Sequence, residues 1–339
     1  MSLDELHKVA CQMVAKGKGI LAADESSGTI KRRFDSIKIE STENTRRAYR
    51  EMLLTTKGIE EAISGVILYD ETIRTATSDG TPFPKVLEKK GILPGIKVDK
   101  GPVDIPFFPG EVVTEGLDGL RVRVKEYRDL GAKFAKWRAV IAIGEGIPTV
   151  NCLQENAHAL ARYAALCQEG GLVPIVEPEV LLDGSHTIER CQEVTEQTLK
   201  ITFAELFQQR VAFEGMILKP SMVVPGKDCP RRASAQEVAE RTLRCLKRTV
   251  PAAVPGIAFL SGGQTPEEAT EHLNAMNSMG PHPWEVTFSY ARALQDPALK
   301  AWKGEASNVA NAQKIFYHRV KCNGAARFGK YNREMEKAA

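Results

Sequence analysis

The sequence lacks the features that mark several protein classes. No apolar run approaches the ~18 residues that a membrane span requires. The seven cysteines form no CxxC pair and the six histidines show no HxxH or HExxH spacing. Neither a disulfide framework nor a histidine-bound catalytic metal is therefore expected. The first residues also lack the basic-then-apolar pattern of a signal peptide. We expect a protein of the reducing cytoplasm that holds no metal and no other cofactor.

An excess of charge of one sign is missing as well. The 46 basic and 43 acidic side chains leave a net charge of only +3. Such a balance creates no strong field toward nucleic acid or a membrane surface, so neither partner is expected. The 339 residues are 43% hydrophobic, which is ample for a core. The informative feature is therefore where the polar residues fall.

The sequence does contain a repeated unit. Eight short runs rich in apolar and β-branched residues lie at 19–23, 65–69, 95–98, 133–137, 173–177, 215–219, 256–260 and 285–290. Their length and composition predict buried strands. Helical patterns with start signals separate most of them, as at Thr265-Pro266 with Glu268 three residues after the threonine. Eight alternating units predict a parallel sheet closed into a (β/α)8 TIM barrel, with residues 1–339 as a single domain.

The remaining segments predict additions to this barrel. Helical periodicity over 3–14 predicts a helix ahead of the first strand, and patterns over 294–300 and 309–321 predict closing helices. The least regular stretch, 101–116, holds three prolines and is predicted to be a long excursion between the third and fourth strands. Residues 325–339 lack apolar periodicity and are predicted to form a mobile tail.

The sixth apolar run ends in a lysine, Lys219. The stem of this side chain would lie in an apolar environment, with its amine at the mouth of the barrel. Burial disfavours the ammonium form of a lysine, and a neutral amine condenses with ketones to give a Schiff base. A strand-end lysine in isolation more often extends to water. Its chemistry therefore depends on what surrounds it.

Polar side chains follow most of the predicted strands. In such a barrel the active site lies at the carboxyl ends of the strands. The residues that fall there, in chain order, are Asp24, Ser26, Lys97, Lys136, Arg138, Glu177, Glu179, Lys219, Ser261, Gly262 and Arg292. Each has an ordinary structural explanation when taken alone, such as a helix cap or a surface carboxylate. Barrel interiors prefer branched apolar side chains, so this much charge at one end predicts an active site.

The predicted site combines an amine with proton-transfer groups. Glu177 and Glu179 can exchange protons with the atoms that form an imine, and Asp24 faces them as a candidate base. A Schiff base on Lys219 acts as an electron sink. The natural reaction is then reversible cleavage of a carbon–carbon bond next to a protonated imine.

Two anion sites flank this amine in the prediction. The backbone N–H groups of Ser261 and Gly262 can hold a phosphate, and Arg292 adds a bidentate clamp. Lys97, with Ser26 and Thr29, could hold a second anion on the opposite side. The substrate so described is an anionic ketone with a phosphate at each end.

These residues lie in motifs that resemble the class I fructose-1,6-bisphosphate aldolases of animals and plants. The resemblance runs from about residue 18 to about residue 331. Its six segments are 19–26 (GILAADES), 95–101 (GIKVDKG), 134–138 (FAKWR), 174–179 (PIVEPE), 218–222 (LKPSM) and 259–264 (FLSGGQ). The resemblance implies a (β/α)8 barrel, a homotetramer and a lyase of central carbon metabolism. The implied reaction yields dihydroxyacetone phosphate and glyceraldehyde 3-phosphate without a metal.

The resemblance also assigns catalytic roles. It implies that Lys219 is the Schiff-base lysine and that Glu177, with Glu179 beside it, is the acid/base of imine formation. It implies that Asp24 takes the C4 hydroxyl proton at cleavage and that Lys136 supports this step.

Binding roles follow from the same motifs. By the resemblance, the pocket for the ketone-side phosphate is formed by Ser261, Gly262 and Arg292. The pocket for the aldehyde-side phosphate is formed by Ser26, Thr29 and Lys97, and Arg138 lines the cleft.

The chain departs from its relatives at three places. Thr29 stands where many have serine, and the hydroxyl is kept. Ala291 stands where animal enzymes have glycine, so only a role for its backbone N–H carries over. The chain ends in Ala338-Ala339, without the terminal tyrosine of many relatives.

Two alternatives stay open at this stage. One is a Schiff-base aldolase for another phosphosugar, which the paired phosphate sites count against. The other is a catalytically silent scaffold that binds acidic partners, which the intact set of expected catalytic residues disfavours.

Overall fold

The computed structural model describes residues 2–338, which alternate between strands and helices as the apolar runs predict. The strands are β1 (Gly19–Ala23), β2 (Ile63–Leu68), β3 (Leu93–Lys97), β4 (Gly101–Asp104), β5 (Val112–Glu115), β6 (Phe134–Ile141), β7 (Val173–Val180), β8 (Ile217–Leu218), β9 (Gly256–Phe259) and β10 (Glu285–Tyr290). The helices are α1 (Leu3–Met13), α2 (Ser27–Asp35), α3 (Glu43–Thr55), α4 (Asp70–Ile73), α5 (Phe83–Lys89), α6 (Leu120–Asp129), α7 (Val150–Glu169), α8 (Ile188–Gln208), α9 (Ala235–Thr249), α10 (Pro266–Ser278), α11 (Arg292–Trp302) and α12 (Val309–Ala326). Short 3-10 segments lie at Ile59–Glu61, Phe213–Gly215, Ala306–Asn308 and Arg333–Ala338.

Eight strands close into a parallel barrel. Their order around the ring is β1, β10, β9, β8, β7, β6, β3, β2, and the pairing of Ile20 with Ser289 joins the last strand to the first. Each of the eight predicted runs forms one of these strands, so the predicted (β/α)8 barrel is confirmed. The ring places β1 opposite β7 and β3 opposite β9, which determines the residues that face each other at the mouth.

The interior of the barrel packs against α1. Its Leu6, Ala10 and Met13 belong to one buried cluster with Ile20 and Phe134 from the strands. A capping box between Ser2 and Glu5 fixes the start of this helix. The amino-terminal helix therefore contributes to the barrel core.

One glycine shows how tightly the strands pack. A Cβ atom on Gly95 of β3 would lie 2.2 Å from the ring of Phe134 on β6. Because Gly95 has no side chain, the Phe134 ring can occupy that space, and β3 pairs with β6 at this register. The close approach brings Lys97, the last residue of β3, beside Lys136 of β6.

The excursion at 101–116 differs in part from the prediction. It does separate the third and fourth barrel strands, but it contains an antiparallel hairpin of β4 and β5. Pro102 pairs with Thr114 in this small sheet. Proline lacks an N–H and fits a sheet only at edge or irregular positions, so the prolines of this stretch argued against strands in the sequence.

The C-terminal segment packs back on α12. Tyr331 is buried and donates its hydroxyl to Glu336 at 2.7 Å, and Arg319 of α12 lies 2.5 Å from the same carboxylate. The mobility of 325–339 stays a prediction, as does the single domain over 1–339, and residue 339 lies outside the described residues. Within residues 2–338, no helix combines the length and apolar character that crossing a membrane demands.

Candidate active site

A cavity of about 550 Å³ opens at the carboxyl ends of the barrel strands. All the residues predicted for the site line it: Asp24, Ser26, Thr29, Lys97, Lys136, Arg138, Glu177, Glu179, Lys219, Ser261, Gly262 and Arg292. They come from strands, loops and helix starts that are distant in sequence, and the closed barrel brings them together.

Four buried side chains form a line of alternating charge across the barrel mouth. Lys219 Nζ lies 3.2 Å from Glu177 Oε1, and Lys136 Nζ lies 3.2 Å from Glu177 Oε2. Lys136 Nζ also lies 2.7 Å from Asp24 Oδ2, so it connects the carboxylate after β1 with the one on the opposite strand β7. Each carboxylate thus contacts a cation, as buried charges require.

The position of Lys219 follows from the strand ladder. Its backbone N–H donates to the carbonyl of Val176 at 2.8 Å, which extends the pairing of β8 with β7 by one residue. Side chains alternate along a strand, and Lys219 points into the cavity with 3% of its surface exposed.

The alternating line shifts the protonation of its members. Burial by itself would raise the pKa of Asp24, but Lys136, Lys219 and Lys97 outweigh it and hold this pKa well below its ordinary value. Burial acts on Glu177 in the same way, and there Lys136, Lys219 and Arg138 lower the pKa. Both groups are therefore carboxylates in the unliganded protein.

Lys136 responds in the opposite sense. Burial alone would lower its pKa, but Asp24, Glu177 and Asp99 outweigh the burial and raise this pKa. Its ammonium stays charged over the working pH range, and it acts as a fixed positive charge between the two carboxylates.

Further ion pairs fix the rim of the cavity. Arg138 donates its Nε to Oε2 of Glu179. Lys97 Nζ lies 2.6 Å from Oδ1 of the buried Asp99, whose other oxygen accepts a hydrogen bond from the backbone N–H of Arg138 at 3.3 Å. Asp99 therefore links the ends of β3 and β6 and sets the direction of the Lys97 amine.

The start of α2 is the candidate position of one anion. The hydroxyls of Ser26 and Thr29 are 3.2 Å apart, and Ser26 is the N-cap residue, although its side chain makes no capping hydrogen bond. The free N–H groups of a helix start attract anions. The Thr29 hydroxyl also accepts a hydrogen bond from Arg32 at 3.3 Å, which brings a cation to the same place.

The sequence analysis missed three residues on this helix. Arg32, Arg33 and Ser36 also line the cavity. They follow Thr29 by three, four and seven residues, which is the spacing of one helix face. This helical spacing from Thr29 is the feature of the sequence that could have indicated them. Arg33 is held by Glu25 at 2.5 Å, and Glu25 also lines the cavity.

The candidate position of a second anion lies between β9 and α11. Gly262 and Gly263 have φ values of +54° and +91°, which favour glycine. Arg292 begins α11, and its guanidinium lies within 3.5 Å of the place where a Cβ on Gly263 would stand. Ala291 just before it has φ −102°, so this position does not need the left-handed backbone that favours glycine.

A buried histidine anchors this glycine turn. His272 of α10 forms a 2.5 Å hydrogen bond through Nδ1 with Oε1 of Gln264, and Gln264 Nε2 donates to the carbonyl of Ser261 at 2.9 Å. Burial lowers the pKa of His272 to about 4, so its imidazole is neutral near pH 7. Neutral imidazole donates through Nδ1 to the amide oxygen and keeps Gln264 in one orientation.

The sequence model of the family described as Fructose-bisphosphate aldolase class-I matches residues 5–339. The chain belongs to this family. A "Probable fructose-bisphosphate aldolase class 1" of Xanthomonas campestris is 60% identical over 332 residues, covering 98% of this chain and 99% of that protein. The fructose-bisphosphate aldolase 1 of Toxoplasma gondii is 54% identical over 329 residues, covering 96% and 91% of the two chains.

A solved aldolase shares the same fold. It is the fructose-bisphosphate aldolase of Plasmodium falciparum in a ternary complex with TRAP and a small molecule inhibitor. The two chains superpose with a TM-score of 0.96 at 49% identity, over 97% of this chain and 96% of that one. The predicted family, barrel fold and enzyme class are confirmed. As a class I fructose-bisphosphate aldolase, the chain is a glycolytic lyase that cleaves a bisphosphate sugar reversibly through a lysine Schiff base.

Proposed function

We propose that Lys219 forms the Schiff base with C2 of fructose 1,6-bisphosphate in this chain. The observation that carries this assignment is its place at the end of the alternating line, next to one proton acceptor, Glu177, at 3.2 Å. Lys136 contacts two carboxylates, and Lys97 is paired with Asp99. Lys136, with a carboxylate on each side, is better placed to remain an ammonium group.

Imine formation needs a base and then an acid at the same place. Glu177 begins as a carboxylate, because its pKa is lowered by the neighbouring cations despite its burial. It accepts a proton from the Lys219 ammonium, and the free amine adds to the C2 carbonyl. The protonated Glu177 then gives its proton to the C2 hydroxyl, which leaves as water. Glu179, two residues along β7, holds Arg138 at the rim during these steps.

Cleavage needs a base on the other side of the mouth. Asp24 lies on the strand opposite β7 and accepts the proton of the C4 hydroxyl. The C3–C4 electron pair moves to the iminium nitrogen, so an enamine forms on Lys219 and glyceraldehyde 3-phosphate departs. Lys136 keeps Asp24 ionised until that moment. Protonation of the enamine at C3 and hydrolysis of the imine then release dihydroxyacetone phosphate.

The two anion sites set the length of the substrate. Lys97 ends β3 and Ser261 follows β9, and these strands face each other across the ring. The amine of Lys219 lies in the same cavity as both. We assign the ketone-side phosphate to Ser261, Gly262 and Arg292, and the aldehyde-side phosphate to Ser26, Thr29 and Lys97. Anion sites on opposite sides favour a bisphosphate over the other phosphosugars.

Borohydride trapping tests the central assignment. Dihydroxyacetone phosphate is the suitable probe, because it needs the ketone-side pocket alone. Mass spectrometry of the reduced protein should locate the adduct on Lys219, and Lys219→Met should give none. The matched Lys97→Met variant should still label, since Lys97 belongs to the other pocket. Labelling of a different lysine in the parent would refute the assignment of Lys219. Cleavage activity of the parent is measured in a separate assay, because it tests the overall reaction and not the identity of the lysine.

The assembly and the location of the chain belong to the same proposal. We propose a homotetramer in the cytoplasm, on the resemblance described above. Large apolar side chains exposed on the surface, such as Phe107, Val122 and Phe207, supply area for subunit contacts. Two plant relatives at 54% and 52% identity carry the word cytosolic in their names. Light scattering on the purified chain measures the mass directly, and a monomer would contradict the proposal.

A further inference from the structure

Three potential metal ligands meet at the C-terminal end of the chain. His318 and Cys322 lie one turn apart on α12, and Glu336 reaches them from the last 3-10 segment. Their ligand atoms all lie within 4.8 Å of one another. None of the three lines the barrel-mouth cavity, so the cluster is separate from the site of the aldolase reaction.

The spacing of these atoms fits tetrahedral coordination. Cys322 Sγ is 3.5 Å from His318 Nε2, and His318 Nε2 is 3.7 Å from Glu336 Oε2. Bonds of about 2.3 Å to sulfur and about 2.1 Å to nitrogen, at a tetrahedral angle, put the two ligand atoms about 3.6 Å apart. The His318–Cys322 and His318–Glu336 separations thus lie close to those that one zinc ion imposes.

Neighbouring groups hold the carboxylate in place. Arg319 donates to both oxygens of Glu336 at 2.5 Å, and Tyr331 donates to Oε1 at 2.7 Å. Arg319 is itself fixed by the hydroxyl of Thr270 at 2.6 Å. Such outer contacts orient a metal-binding carboxylate and leave Oε2 directed at His318.

We propose that His318, Cys322 and Glu336 bind one zinc-class divalent ion, which joins the C-terminal segment to α12. The donor set of imidazole, thiolate and carboxylate is one that zinc accepts, and a water molecule completes the tetrahedron. On binding, the Cys322 thiol releases its proton to solvent and the sulfur–metal bond forms. The Arg319 guanidinium, which donates to both carboxylate oxygens, weakens the affinity by repulsion and would share Oε2 with the ion.

The chain contains a matched control for this site. His7 and Cys11 form the same one-turn pair on α1, with Cys11 Sγ 3.6 Å from His7 Nε2. Among residues 2–338, this pair joins no group of three potential ligands. If the carboxylate of Glu336 creates the site, the pair on α1 binds the ion far more weakly.

Cobalt(II) reports directly on thiolate coordination. The chelator-treated full-length protein is titrated with Co²⁺, and a stoichiometric thiolate-to-cobalt charge-transfer band with tetrahedral d–d absorption is expected. The band should persist in Cys11→Ala and vanish in Cys322→Ala. Glu336→Gln should weaken binding at least about 10-fold. Glu334→Gln, an exposed neighbour paired with Lys337, should bind as the parent does.

A second readout covers variants that fold poorly. Zn²⁺ should raise the thermal midpoint of the parent and slow proteolysis after Tyr331, and neither effect should appear in His318→Gln. Aldolase activity should survive chelation in all of them, because the barrel mouth is separate. A cobalt band that remains in Cys322→Ala, one lost in Cys11→Ala, or equal affinity in Glu336→Gln would each overturn the proposal.

Discussion

Replacing Lys136 by methionine tests the electrostatics of the site most directly. Methionine keeps most of the apolar stem and removes the charge. Lys136 Nζ contacts Asp24 at 2.7 Å and Glu177 at 3.2 Å, and all three side chains are buried. The substitution therefore leaves two buried carboxylates: Glu177 keeps its contact with Lys219, while Asp24 loses its ion pair.

The expected loss of stability is large. Removing one partner of a buried ion pair typically costs about 3–5 kcal/mol, because the other charge stays buried without compensation. The matched control is Lys31→Met, which removes a contact of 2.8 Å to Asp35 between exposed side chains. Exposed pairs contribute at most about 1 kcal/mol. The two variants should thus differ several-fold in their loss of unfolding free energy.

The stability of the parent and that of the variant should also depend on pH with opposite signs. In the parent the pKa of Asp24 is below its ordinary value of 3.8, so this group stabilises the fold above that pH and the gain is lost as the pH falls. Without Lys136, the largest opposing charge is gone, and we expect burial to outweigh Lys219 and Lys97 and to raise the pKa of Asp24. The folded variant then binds more protons than the unfolded chain, and its stability falls as the pH rises past 4.

Denaturant unfolding of both variants at pH 4 to 8, with kcat/KM on fructose 1,6-bisphosphate, measures these effects. Activity should fall at least about 100-fold, the contribution of a positioned acid or base. Trapping of dihydroxyacetone phosphate on Lys219 should persist. Equal stability losses for Lys136→Met and Lys31→Met, or an unchanged pH slope, would refute the role of Lys136 as the fixed cation between two carboxylates.

Three further predictions concern the phosphate pockets, the buried histidine and the C-terminal segment. Arg292→Ala should slow cleavage of fructose 1,6-bisphosphate and fructose 1-phosphate alike, whereas Lys97→Ala should slow the bisphosphate roughly 10- to 100-fold more, the value of one charge-assisted contact; equal losses on both substrates for Lys97→Ala would contradict the two pockets. His272 has a pKa of about 4 in the fold against 6.5 unfolded, so its contribution is complete above pH 6.5 and is lost as the pH falls. Between pH 7 and pH 5 the unfolding free energy should drop by about 2 kcal/mol from this group, and His272→Gln should lack that drop. Deleting the residues after Tyr331 removes the carboxylate partner of Arg319, so stability should fall by on the order of 3 kcal/mol while turnover changes less than about threefold; a large loss of turnover with folding intact would show a role for the segment in the reaction.

The barrel was predictable because its strands are buried on both faces. Such strands appear as continuous apolar runs, and most of them have a polar residue at or just beyond one end, as Lys219 follows Leu218. The start signals of helices were equally local: Thr265 accepts from the N–H of Glu268 in a capping box, as predicted. The hairpin of β4 and β5 was missed because its strands are short, solvent-facing and interrupted by proline, so they lack a hydrophobic pattern.

The sequence could predict which residues line the candidate site, but not which of their side chains contact each other. Residues at strand ends must converge in a closed barrel, so a list of strand ends is already a list of neighbours. Which amine meets which carboxylate depends on the order of the ring and on side-chain directions. The sequence alone could not show that Lys136 spans from Asp24 to Glu177, or that Asp99 directs Lys97. The three ligands at the C-terminus were missed for the same reason, since Glu336 reaches His318 only after the chain folds back.

The alternation of charge explains why one lysine can be reactive among several. Along the line from Asp24 through Lys136 and Glu177 to Lys219, each inner group has an opposite charge on both sides. An inner cation that lost its proton would leave two buried carboxylates facing each other, which is costly. The terminal cation contacts a single carboxylate, and transfer of its proton to Glu177 neutralises both groups at once. Lys219 is therefore the lysine of this line that can become a free amine without leaving an uncompensated buried charge.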